Sequence, residues 1–152
     1  MCVLTAQHNR FSEAYPEQTD TWLARCTSTG DLEWKTSFGD PTFDDYANSM
    51  ICLRDGTYLI GAIGSSVLLS CVDKDGNVLW MQSLLERQIV YGGMALIELE
   101  GRGFFVAGLI QITNGRSYDA FLLRTDAEGR VGELAICAMQ YGDVVRFLPI
   151  AS

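Results

Sequence analysis

Along this chain, short apolar runs of strand length alternate with polar turns. Val67-Leu68-Leu69-Ser70-Cys71-Val72 is followed by Asp73-Lys74-Asp75-Gly76-Asn77 and then by Val78-Leu79-Trp80. An apolar run of six residues bounded by turn residues reads as a strand, and the polar turn with its glycine reads as a hairpin. The same order recurs at Thr21-Trp22-Leu23-Ala24-Arg25-Cys26 with Gly30 and Trp34, and at Ala120-Phe121-Leu122-Leu123-Arg124-Thr125 with Gly129. Gly30 to Gly76 is 46 residues, Trp34 to Trp80 is again 46, and Gly76 to Gly129 is 53. Such spacing is that of a four-stranded repeat.

Two further markers fall in phase. Gly56-Thr57-Tyr58-Leu59-Ile60-Gly61-Ala62 aligns with Gly103-Phe104-Phe105-Val106-Ala107-Gly108-Leu109, and Val3-Leu4-Thr5-Ala6 reads as a shorter copy. Ser37-Phe38-Gly39-Asp40 recurs as Gln140-Tyr141-Gly142-Asp143. The repeat is therefore four strands in fixed order, predicted at 46–53, 57–63, 67–73 and 78–84, then near 91–99, 104–111, 119–126 and 131–139. No stretch of ten residues has a clean helical period, and 81–91 reads as an elongated strand and a loop. The chain starts in the second strand of a repeat and stops in the first. Residues 144–150 are thus expected to join 2–37 in a composite repeat, beside 46–84 and 91–139.

The expected fold is one all-β domain, 1–152, of about three four-stranded antiparallel blades. Propellers usually hold about four to eight blades. Three would leave two faces unpacked, so the chain reads as a partial propeller or as one half of an oligomeric ring.

The motif Cys71-Val72-Asp73-Lys74-Asp75-Gly76-Asn77-Val78-Leu79-Trp80 resembles the strand-turn-strand core of quinoprotein-like repeats in bacterial and archaeal β-propellers. So does Cys26-Thr27-Ser28-Thr29-Gly30-Asp31-Leu32-Glu33-Trp34, together with Phe38-Gly39-Asp40, Asp44-Asp45-Tyr46-Ala47 and Asp55-Gly56-Thr57-Tyr58-Leu59-Ile60-Gly61. The resemblance spans nearly the whole chain. It implies that Trp34 and Trp80 dock one blade on the next. The third repeat departs from it, with Arg130-Val131-Gly132-Glu133-Leu134 and no tryptophan. Quinoprotein dehydrogenases are eight-bladed and hold their cofactor beside a vicinal cysteine pair and a calcium. This chain has no vicinal cysteines, so that activity is not carried over.

Composition narrows the partners. The chain has 11 basic against 19 acidic residues, a net charge of −8. A nucleic-acid binder needs a basic surface to displace counterions, so nucleic acid is not an expected partner. The apolar runs are too short for a transmembrane helix, and no signal peptide is visible. Cys2, Cys26, Cys52, Cys71 and Cys137 are odd in number and lack CxxC spacing, and they read as buried, reduced thiols. Unpaired cysteines favour a reducing, cytoplasmic compartment, whereas the resemblance implies a secreted or cell-surface setting.

Candidate chemistry is sparse. Asp73, Asp75 and Asn77 have the look of a short calcium loop, but ligands are missing from the equivalent turns, and a capped hairpin turn explains them as well. Asp40, Asp44 and Asp45 cluster between strands; paired carboxylates suit glycoside hydrolysis, whereas a position repeated at Asp143 suits a turn tied to backbone amides. His8 is the sole histidine, and Gly61-Ala62-Ile63-Gly64-Ser65-Ser66 is no nucleophile elbow. Tyr15, Trp22, Tyr91 and Tyr118 lie outside the docking positions and have the aromatic character of a carbohydrate-binding face. Trp22 occupies the position of Leu68 and Phe121, however, and is expected in the core. No resident cofactor is expected. The sequence thus reads as a non-enzymatic propeller-repeat module presenting a surface to a protein or carbohydrate ligand, with self-association or neighbouring blades expected. The alternative is a fragment of a larger secreted propeller enzyme, hydrolase- or quinoprotein-like, with no complete active site in this chain.

Overall fold

The structure is a computed structural model and describes residues 2–10, 18–39, 44–64, 66–85, 89–111 and 119–137. All regular structure among these residues is β. The strands are β1 (Cys2–Arg10), β2 (Gln18–Cys26), β3 (Leu32–Phe38), β4 (Tyr46–Cys52), β5 (Tyr58–Ile63), β6 (Val67–Val72), β7 (Val78–Leu84), β8 (Ile89–Glu98), β9 (Phe104–Gln111), β10 (Asp119–Thr125) and β11 (Val131–Cys137). They form three antiparallel meanders: β1-β2-β3, β4-β5-β6-β7 and β8-β9-β10-β11. The expected pairing of residues 144–150 with β1 lies outside the described residues.

The hairpin chemistry sets the register. In the β6–β7 turn, Asp73 N–H donates to Asn77 O (2.9 Å) and Gly76 N–H to Asp73 O (3.2 Å). Gly76 has φ +92°, which glycine adopts without a Cβ penalty. The 27–31 and 126–130 turns repeat both bonds, with Gly30 and Gly129 also at positive φ. One bulge follows at the same place in each sheet, at Cys26, Val72 and Thr125. Identical turns therefore deliver identical registers. Trp34 faces Arg25, Trp80 faces Cys71, and Glu133 stands opposite Arg124.

The sheets stack in chain order, with the middle one buried on both faces. Every residue of β5 and β6 is buried. Alternation along a strand sends successive side chains to opposite faces. Tyr58, Ile60 and Val72 accordingly pack with Leu23 and Phe38 of the first sheet, whereas Leu59, Leu69 and Cys71 pack with Met94, Leu96, Val106, Phe121 and Leu123 of the third. Burial on both faces explains why apolar residues fill both faces of 67–72, with Ser70 as the one polar member, which alternation alone would not produce. Both outer sheets turn one face inward.

Three expectations need correcting. Trp22 is half-buried rather than fully in the core. Its neighbour Leu23 packs on the middle sheet, so Trp22 lies on the first sheet's outward face, whereas Leu68 and Phe121 at the same register have a sheet in front of them. Of Cys26, Cys52 and Cys71, all three free, Cys71 alone is buried; Cys26 is half-buried and Cys52 exposed. Cys52 ends β4, an edge strand, just before the 53–57 turn. The β1–β2 hairpin also runs further than Val3–Ala6 implied, pairing as far as Arg10 with Gln18. The polar run Gln7-His8-Asn9-Arg10 carries no apolar signal, so the sequence pattern stops short there.

Candidate functional site

The meander places two kinds of connection at opposite ends of each sheet. The 27–31, 53–57, 73–77, 99–103 and 126–130 turns sit at one end, and the connections between sheets sit at the other, together with the short β5–β6 connection. Each end holds a candidate group.

At the turn end, the sheets are locked by an indole laid on a glycine. A Cβ added to Gly76 would stand 2.9 Å from Trp34 Cε3, and one on Gly129 would stand 2.5 Å from Trp80 Cζ3. Only a residue without a Cβ admits the ring so closely. Each tryptophan also meets the first aromatic of the next sheet's second strand. Trp34 lies 6.1 Å from Tyr58, and Trp80 lies 6.1 Å from Phe104, both tilted. Trp34 Nε1–H donates to Lys74 O at 2.9 Å, and Arg25 Nη1 donates to the same carbonyl at 2.9 Å. Arg25 is itself ion-paired to Glu33 (2.7 Å). The neighbouring turns are tied likewise, with Arg54 N–H donating to Glu98 and the Arg54 guanidinium bonding Glu100.

Asp73, Asp75 and Asn77 lie at this end. Asp73 Oδ1 accepts from the N–H groups of Asp75 and Asn77, both at 2.8 Å, and Oδ2 accepts from Asn77 Nδ2 (2.9 Å). The Asn77 side-chain bond foremost, then the Asn77 backbone bond, hold the Asp73 carboxyl below the usual carboxylate range. Thr57 does the same for Asp55 in the 53–57 turn. In the third sheet, Asp126 Oδ1 accepts from Glu128 and Arg130 N–H. Both oxygens of Asp73 thus face the turn's own donors. Among the described residues, no group of three or more His, Cys, Asp or Glu comes together to hold a metal ion.

The opposite end holds the acidic cluster. Asp40 lies outside the described residues. Asp44 Oδ1 accepts from Thr19 N–H at 2.6 Å, while Asp45 N–H donates to Thr19 O at 2.7 Å. The two bonds clip the connection between the first two sheets onto the start of β2. Tyr46 O–H donates to Asp44 Oδ2 (3.4 Å). Desolvation foremost, then the Asp44 charge, push the Tyr46 phenol up. Asp45 is 2% exposed. A Cβ on Gly39 would stand 2.7 Å from Asp45 Oδ2 and 3.1 Å from Asp20 Oδ1; one on Gly64 would stand 2.6 Å from Asp45 Oδ1. The Asp45 carboxylate therefore sits against two glycine backbones, with Asp20 beside it.

Asp20, buried at 4% exposure, is the member that sequence reasoning missed. The signal was present, since the repeat aligns it with Ser66 and Asp119, a polar residue ten positions before the turn glycine each time. In the middle sheet, Ser66 Oγ is 2.7 Å from Ser83 Oγ. Asp44 is engaged by a backbone amide and a phenol, an arrangement that anchors a chain crossing. Set against known proteins, the chain matches no family model and no curated protein sequence.

Proposed function

We propose that this chain is a non-catalytic module of β-propeller type, its three sheets acting as blades and its turn end serving as a fixed binding surface. The observation carrying this reading is the junction seen twice, Trp34 on Gly76 and Trp80 on Gly129. Its repetition supports a constant placement of successive sheets, of the kind that radial repetition requires. Hydrogen bonds from Trp34, Arg25 and Arg54 to the adjoining turn residues hold that surface in place before any partner arrives. Preorganisation of this kind lowers the cost of binding. The exposed charges there include Asp31, Asp55, Asp75, Glu100 and Glu128 against Arg54, Lys74, Arg102 and Arg130, with Arg54 paired to Glu100 and Arg130 beside Glu128; the acidic excess and the net charge of −8 favour a basic protein surface as partner.

The test is an NMR titration of the labelled chain with a lysine-rich peptide and with a neutral oligosaccharide, run beside a turnover assay on chromogenic glycosides. The expected result is peptide-induced shifts at 54–56, 74–76, 100–102 and 127–129, weakening with salt, and no turnover. Glycoside turnover abolished by Asp44→Asn would replace this reading with an enzymatic one.

A further inference from the structure

The two internal junctions define what a third one needs, and each end of the stack carries one half of it. On the leading side, the first sheet offers its 27–31 turn. Gly30 has φ +93° and nothing within 4 Å of its added Cβ, whereas the equivalent Gly76 and Gly129 are each covered by an indole. On the trailing side, the third sheet repeats the surface with which the middle sheet meets its successor. Phe105 and Leu122 stand at the register of Leu59 and Leu69, which pack on the third sheet. Beside them Leu109 is 43% exposed, and Ile97 of the adjoining strand is 58% exposed. Arg124 is exposed and stands at the register of Arg25, the residue whose guanidinium donates to Lys74 O in the next turn. In the first sheet, Ser28 occupies the place of Lys74.

We propose that the trailing face of the third sheet docks head to tail on the leading face of the first sheet of a second copy, with Arg124 donating to the Ser28 carbonyl. The occupant is argued from this chain's own surfaces. The leading face offers the open Gly30 turn, with Cys2 at the register that Tyr58 and Phe104 hold in the other sheets, and the exposed trailing face keeps the arginine of the first junction. It lacks only the tryptophan, because Glu133 stands where Trp34 and Trp80 stand. The association is accordingly weaker than the internal junctions and reversible. The described residues of two copies bring six sheets, the one multiple of three within the usual range of about four to eight blades. A head-to-tail contact that closes on itself after two copies hides both faces of each. The inference rests on junction geometry and not on any binding role of the turn end.

Sedimentation velocity over a concentration series tests it, with circular dichroism to confirm that every variant is folded. The wild-type chain should pass reversibly from one copy to two. Leu109→Asp and Arg124→Glu should each weaken association by about tenfold or more, and Glu133→Trp should strengthen it. Leu79→Glu, exposed on β7 of the middle sheet, should leave it unchanged. A wild-type chain that stays at one copy up to about 1 mM, the weak limit of specific association, overturns the proposal. So does an association indifferent to Leu109→Asp and Arg124→Glu.

Discussion

Replacing Gly76 and Gly30 by alanine, one at a time, separates the indole contact from backbone strain. The two glycines share a turn type and a backbone angle, φ +92° and +93°. An L-residue there costs about 1–2 kcal/mol, partly offset by roughly 0.4–1 kcal/mol of lost unfolded-state entropy. Gly30→Ala meets nothing within 4 Å and should destabilise by about 1 kcal/mol on these terms. Gly76→Ala carries the same strain and also places a methyl 2.9 Å from Trp34 Cε3 and 3.0 Å from Cδ2. The ring must move away. It then gives up the bond to Lys74 O, worth about 1 kcal/mol, and part of a half-buried aromatic contact, worth about 1–2 kcal/mol. Gly76→Ala should thus cost about 2–3 kcal/mol more than Gly30→Ala. Urea unfolding of dilute protein measures both. A double-mutant cycle closes the argument, because in a Trp34→Ala background the excess should vanish. Equal costs for the two alanines, or an excess that survives removal of Trp34, would refute the claim that this indole locks the first two sheets.

Two further outcomes are expected. Cys52 should react promptly with a thiol reagent in the native state, and Cys26 more slowly. Cys71 should react only on unfolding, since it is buried and burial pushes its thiol up; the rates are read by peptide mass mapping of modified protein. Asp55 and Asp73 have depressed folded values, so their stabilising effect is complete above the unfolded carboxylate range and disappears as pH falls through the folded values. Urea midpoints should therefore drop as pH falls from about 5 to below about 3, and Asp73→Asn should show a smaller drop than wild type; identical drops would contradict the hydrogen-bond origin.

Much of the fold was legible because turn chemistry repeats. Polar turns with glycines at 30, 76 and 129 placed the β2–β3, β6–β7 and β10–β11 hairpins, and strands β4 to β7 fall within a residue or so of their predicted spans. The docking role implied for Trp34 and Trp80 came from resemblance, and the ring-on-glycine geometry gives it a physical form. Polarity hid the far half of the β1–β2 hairpin, where Gln7 to Arg10 pair with Gln18 to Thr21. Position in the stack, rather than local sequence, decided the half-exposure of Trp22, since the same register is buried wherever another sheet lies in front. The acidic cluster was visible as Asp44 and Asp45, whereas Asp20 joins it through the crossing of chain between sheets, and its signal in the sequence is the repeat register it shares with Ser66 and Asp119.

Amide hydrogen exchange read strand by strand tests most directly the claim that three sheets stack in chain order with β4–β7 between the others. Strands buried on both faces open only by wide unfolding. β5 and β6 should exchange slowest, with β3 and the outer strand β7 faster. Equal protection across the three sheets, or slowest exchange in β2 or β10, would contradict it.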